Sequence, residues 1–185
     1  MHAVKGLVFT ELFRHVEAHH GADMVDDIIE AAQLPHGGAY TSVGSYPFQE
    51  AVALLAALNK ATGQPLPDIL DGFGTHCFNR WVHYAPHYFT AQRGLFDILE
   101  GVDEFHETEV RKLYPDAELP SFLSESRSDR QLVMGYYSCK PLSALAVGVI
   151  KGAAAHVGQP VHMACEPTVG ERGAYTRITI TLLDV

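Results

Sequence analysis

Basic residues are scarce in this chain. Thirteen Lys and Arg stand against 22 Asp and Glu, a formal net charge of −9. No basic stripe appears, which excludes nucleic acid as a partner, because phosphate backbones are held by clustered cations. Cysteine is sparser still. Cys77, Cys139 and Cys165 are three and scattered, so they build no disulfide framework. A reducing cytoplasm is the expected compartment. No apolar run reaches the roughly 18 residues that read as a membrane span. The opening Met1 to Lys5 is not a signal peptide, since an amphipathic stretch with Glu11, Arg14 and Glu17 follows it. A Gly-x-Ser-x-Gly elbow is missing, and so is a Gly-rich phosphate loop, which leaves no support for a hydrolase or a nucleotide enzyme. Nor is there an internal repeat, a low-complexity tract or a linker long enough to separate domains. The 185 residues, 47% of them apolar, suit one domain with a sizeable core.

Helical periodicity dominates the first two thirds. Leu7, Val8, Phe9, Leu12, Phe13 and Val16 form an apolar stripe that predicts a helix over 6–20, with Gly21 as its cap. A second helix is expected over 23–32, with Met24, Val25, Ile28 and Ile29 inward. A short extended piece falls within 40–46. Pro47 then suits the first turn of a helix to about residue 61, with Val52, Leu54, Leu55 and Leu58 in the core. The next helix covers 68–84, carries Ile69, Leu70, Phe73, Cys77, Phe78 and Trp81, and stops before Pro86. A fifth runs from 91 to 114.

After Pro120 the pattern changes. Residues 121–125 and 131–140 flank a polar turn and read as a hairpin. A helix over 141–156 follows, with Leu142, Leu145, Val149 and Ile150 inward. Strands are expected over 160–166 and 174–183. In the last of these Tyr175, Arg177, Thr179 and Thr181 face away from Ile178, Ile180 and Leu182. Helices first and strands later indicate α+β: an N-terminal helical subdomain packed on a C-terminal subdomain of antiparallel sheet and helices.

Two stretches carry chemistry. Leu95, Leu99, Val102, His106, Val110 and Leu113 follow spacings of 4, 3, 4, 4 and 3, one face of a helix. The His106 imidazole therefore points inward with the aliphatic side chains. It is either a core histidine with ordinary partners or an axial metal ligand. Further on, Tyr136, Ser138 and Lys140 alternate along the expected strand and share a face. Two hydroxyls and an ammonium on one face make a carboxylate receptor; the alternative is a solvent-facing strand edge. Haem unites the two demands, with two propionates and an iron that takes an axial ligand.

With Lys5-Gly6-Leu7-Val8-Phe9 at the start, His106 on its helix, Leu113-Tyr114-Pro115 through Pro120, and Tyr136-x-Ser138-x-Lys140, the chain resembles the haem-nitric oxide/oxygen binding (H-NOX) family. That family is related to the sensor domain of soluble guanylate cyclase. The resemblance runs from about residue 4 to 183. The family motif is Tyr-x-Ser-x-Arg, and Lys140 departs from it, keeping the charge without the planar fork.

The resemblance implies a single haem-binding domain over 1–185. A helical distal part would span about 1–90, and the proximal helix and sheet about 91–185, with haem b (iron protoporphyrin IX) between them. It implies His106 as the proximal iron ligand, Tyr136, Ser138 and Lys140 on the propionates, and Pro120 against the porphyrin plane. Val8, Leu12, Cys77, Phe78, Leu145 and Val149 would line the distal side. Oxygen-binding relatives carry a tyrosine at the position of Leu145. An apolar wall here implies a sensor for NO and CO that excludes O₂, not an enzyme. Output would pass, by release of the proximal His and movement of haem and helix, to a separate sensor histidine kinase or cyclic-di-GMP enzyme. No membrane or nucleic acid takes part. The alternative is a haem-free protein-interaction or small-carboxylate-binding module with a degenerate pocket. His162-x-x-Cys165 is similar to part of a zinc site in some relatives, but the other matching positions, about Ser143 and Gly173, are not ligands, and two ligands close no tetrahedral site.

Overall fold

The computed structural model describes residues 2–90 and 93–184. In chain order it contains β1 (Ala3–Lys5), α1 (Gly6–His20), α2 (Ala22–Ala32), β2 (Ser45–Pro47), α3 (Phe48–Thr62) and α4 (Leu66–Tyr84). Then come α5 (Leu95–Glu100), α6 (Val102–Phe105), a π-helical turn (His106–Val110) and α7 (Arg111–Leu113). The C-terminal part holds β3 (Ser121–Arg127), β4 (Gln131–Tyr137), α8 (Ser143–Val157), β5 (Val161–Gly170) and β6 (Gly173–Leu182). This is the expected α+β architecture.

Two apolar cores organise it. Phe9, Leu12 and Val16 of α1 pack with Ile28 of α2, Leu54, Leu55 and Leu58 of α3, and Ile69, Leu70 and Phe73 of α4. The second core joins Phe78, Leu95, Ile98, Leu99 and Phe105 to Ala146, Ile150, Ala153 and Ala154 of α8. It is completed by one face of the sheet: Leu132, Met134, Ile178 and Ile180. The sheet is antiparallel in the order β3-β4-β6-β5. Leu132 pairs with Ile180 and Met134 with Ile178, so period-two alternation puts all four on the buried side.

Helices α4 and α8 contribute to both cores, and they touch along glycines. A Cβ on Gly148 would overlap the Asp71 carbonyl oxygen, and one on Gly74 would overlap that of Leu145. The Thr75 hydroxyl donates to the Gly148 carbonyl at 3.0 Å, and Lys151 pairs with Asp71. A methyl group at this crossing forces the backbones apart, which typically costs about 1–3 kcal/mol.

Polar groups also fasten the helical part. The Glu11 carboxylate, 4% exposed, takes Arg14 at 2.6 Å, His76 at 3.0 Å and Arg80 at 3.1 Å, tying α1 to α4. Burial opposes its charge, but those three partners outweigh burial and hold its pKa below the ordinary value. A second buried carboxylate, Glu50, accepts from the Tyr40 hydroxyl and meets His36, each at 2.6 Å.

Several expectations need correction. Val52 is 46% exposed, not core. The strand β1, which pairs with β2, was not expected, because three residues hold no readable alternation. Strand β5 runs past Glu166 to Gly170 and includes Pro167, tolerated on an edge strand. Strand β4 ends at Tyr137, so Ser138 and Lys140 lie in a bend and not on a strand face. The expected start of the His106 helix, at 91, lies outside the described residues. The helix is also broken, at Gly101 and by the π turn. A π turn inserts one extra residue, and one residue is about 100° of helical rotation. The phase therefore shifts after His106, and Leu113 is 71% exposed instead of inward.

Two outcomes follow. Gly148→Ala should lower stability by about 1–3 kcal/mol in thermal unfolding, through overlap with Asp71. His15 is buried beside His19 and His76, and its Nδ1 has no hydrogen-bond partner among the described residues. Burial, then the neighbouring histidines, push its pKa down from 6.5 to about 4. Between those values the unfolded chain binds a proton that the folded one refuses, so stability falls as the pH drops from 6.5 towards 4. His15→Phe should flatten that decline in Tm measured across the same range; an unchanged slope would refute it.

Candidate functional site

His106 opens the π turn with 7% of its surface exposed. Burial lowers its pKa, while Asp103 and the backbone of Pro120 pull the other way. The lowered pKa keeps the imidazole neutral at pH 7, the form that ligates metal. Its Nδ1 is buried and makes no hydrogen bond among the described residues. The nearest acid is Asp103 on the preceding turn, with Oδ1 at 4.0 Å. Asp103 is already occupied: it accepts from Phe122 N at 3.0 Å and the Ser121 hydroxyl at 3.0 Å, which fixes the start of β3 beside His106. Sequence reasoning left the orienting acceptor unnamed. Among the described residues Nδ1 has no such acceptor, because the adjacent Asp103 is turned to β3.

From His106 an aromatic path leads to Tyr136, the first of the residues expected to receive carboxylates. The His106 ring lies 6.4 Å from that of Phe122, and Phe122 lies 5.2 Å from Tyr136. Pairing of Phe122 with Tyr136 across β3 and β4 sets that contact. Tyr136 is 6% exposed, and burial raises its phenol pKa against the pull of the Ser138 hydroxyl, so it stays a donor. The Ser138 oxygen accepts from Lys140 N at 3.1 Å, which closes the bend. Tyr136, Ser138 and Lys140 line one cavity of about 240 Å³, together with Leu142, Ser143 and Thr176. The structure therefore brings the three together, through a turn rather than strand alternation. The volume is below the usual ~300–1,000 Å³ of small-molecule pockets, too small for a whole macrocycle.

Lys140 is already engaged. Its side chain is 8% exposed, and its ammonium donates to Glu118 Oε2 at 2.8 Å. Glu118 was not singled out from the sequence. It stands two residues before Pro120, in the segment between α7 and β3.

The six residues expected on the distal side come from α1, α4 and α8 and divide between the two cores. Val8, Leu12, Cys77 and Leu145 belong to the first core, and Phe78 and Val149 to the second. Burial pushes the Cys77 thiol pKa upward, so it remains a weak donor. Neither nearby tyrosine has an idle hydroxyl: Tyr40 donates to Glu50, and Tyr46 engages Thr41. His162 and Cys165 lie exposed on β5, at an odd spacing that turns them to opposite faces.

A buried neutral imidazole whose Nδ1 has no partner among the described residues, and a cationic, hydroxylated grip, fit the axial and carboxylate ends of a haem. Fold and site together define a haem-binding sensor domain. The sequence profile of the Haem-NO-binding family matches residues 5–165. The chain belongs to this family of haem-binding gas-sensor domains, the H-NOX domains. The Fe(II) unliganded H-NOX protein from K. algicida superposes with a TM-score of 0.88 at 30% identity, covering 98% of each chain. A mutant of that same protein, also Fe(II) unliganded, gives 0.88 at 31%, covering 98% of this chain and 97% of that one. The Fe(II)NO state of an H-NOX protein from S. oneidensis gives 0.86 at 23%, covering 98% and 100%, a likeness of fold. No curated protein matches the chain.

Proposed function

We propose that the chain is a sensor of nitric oxide that also takes CO, excludes O₂, and signals to a separate protein in the cytoplasm. The whole of 1–185 acts as one unit, with a distal helical part and a proximal part built on the His106 helix and the sheet. The observation that carries this reading is His106, a buried histidine whose Nδ1 has no hydrogen-bond partner among the described residues, on an aromatic path to the Tyr136, Ser138 and Lys140 grip. His106 would hold the iron of haem b, and Tyr136, Ser138 and Lys140 its propionates. Pro120, next to β3, would bear on the porphyrin. Bound haem supplies the iron position at which a diatomic gas coordinates.

Selectivity rests on the distal residues. Val8, Leu12, Phe78, Leu145 and Val149 offer no donor, and the Cys77 thiol offers a weak one. Bound O₂ needs a donor because it carries partial negative charge; NO and CO need little. Output rests on the His106 helix. Its break at Gly101 and its π turn give two places for a change of pitch. A His106 that is held and one that is free then correspond to two surface shapes, which a partner can read. The class of partner suggested by the family is a sensor histidine kinase or a cyclic-di-GMP enzyme. The prior hold of Glu118 on Lys140 favours a second reading, a haem-free binder of small carboxylates.

An anaerobic visible spectrum of the reduced, haem-reconstituted protein separates the two. A Soret band that shifts with NO, with no oxy complex in air, is the expected result; no Soret band would leave the second reading. His106→Gly should change the ferrous spectrum while leaving the fold intact by circular dichroism, and an unchanged spectrum would refute the ligand assignment. Leu145→Tyr places a phenol on the distal wall and should make an oxy spectrum detectable in air. Its absence would count against that wall.

A further inference from the structure

We infer that Glu118 is an internal carboxylate that competes with the haem propionate for Lys140, and so couples filling of the grip to the segment that carries Pro120. The inference rests on the haem reading above.

Lys140 presents one ammonium, largely stripped of water, and holds its anion accordingly. Glu118 meets it twice, through Oε2 at 2.8 Å and its backbone carbonyl at 3.5 Å. Tyr136 and Ser138, which line the same cavity, bring hydroxyls but no charge. The grip therefore has a single cation, and the chain itself supplies a carboxylate to it. A second carboxylate arriving at Lys140 faces the first, and like charges on one site oppose each other. An arginine fork could take one anion bidentately along one edge; the lysine point charge has no such division.

The position of Glu118 gives the competition a consequence. The segment between α7 and β3 is pinned on two sides. Lys5 holds Asp116 at 2.6 Å, from β1, and Lys140 holds Glu118, from the bend after β4. His2 approaches the same Glu118 oxygen at 3.3 Å. When a propionate takes Lys140, the second pin loosens, and the change is confined to residues 118–120, because Asp103 still holds Ser121 and Phe122. Glu118 is thus a positioning residue whose target is the grip.

Haem loss to excess haem-free myoglobin, followed at the Soret band, tests this. Removing the competing charge with Glu118→Gln should slow loss about two- to fivefold, the scale of a partly exposed ion pair. Lys140→Ala should accelerate loss, and adding Glu118→Gln to it should change nothing further. Iron protoporphyrin IX dimethyl ester lacks the carboxylates, so its release should be the same from wild type and Glu118→Gln. Loss from Glu118→Gln as fast as from wild type would overturn the proposal. So would an equal response of the ester, which would mark Glu118 as merely structural. If reconstituted wild type shows no Soret band, the haem reading fails and this inference with it.

Discussion

The contact on which the rest depends is the glycine-lined crossing of α4 and α8. These two helices belong to both cores, and their backbones approach closely only because Gly74 and Gly148 have no side chains. Phe78 and Val149 face one core from this crossing, and Cys77 and Leu145 the other. A wider crossing would separate Cys77 and Phe78 from Leu145 and Val149. It would also move the sheet, and with it Tyr136, relative to the helical part.

Around that frame the protein buries groups that ordinary folding avoids. Glu11 and Glu50 are buried with their partners in place, and they stabilise the helical part. His106 is buried with its nearest acid 4.0 Å away and engaged elsewhere. The difference is informative. Satisfied buried charges fix structure, whereas a buried imidazole with one open nitrogen is the kind of local exception that collects at functional positions. The π turn that begins at His106 belongs to the same picture, since such turns collect at functional positions.

Much of the fold was legible because long periodic stretches leave one choice. The stripe from Leu7 to Val16 and the alternation from Tyr175 to Leu182 each point to one element and one buried face. His106 was legible for the same reason: it occupies a core position in a helical repeat. What failed was local. Leu113 obeyed the repeat in sequence, but one inserted residue in a π turn rotated it into solvent. Lys140 continued the strand alternation on paper, but the chain bends after Tyr137, and the residue reaches the grip by another route.

The sequence by itself determined which faces are apolar, where helices give way to strands, and that a histidine would be drawn inward. Those properties follow from the order of side chains along one element. Only the tertiary structure decided that Glu118 reaches Lys140, that Asp103 is spoken for by β3, and that Phe122 links His106 to Tyr136. Each of these contacts joins residues from different elements. Their distances depend on how the helices cross and how the strands register, and no spacing within one segment encodes that.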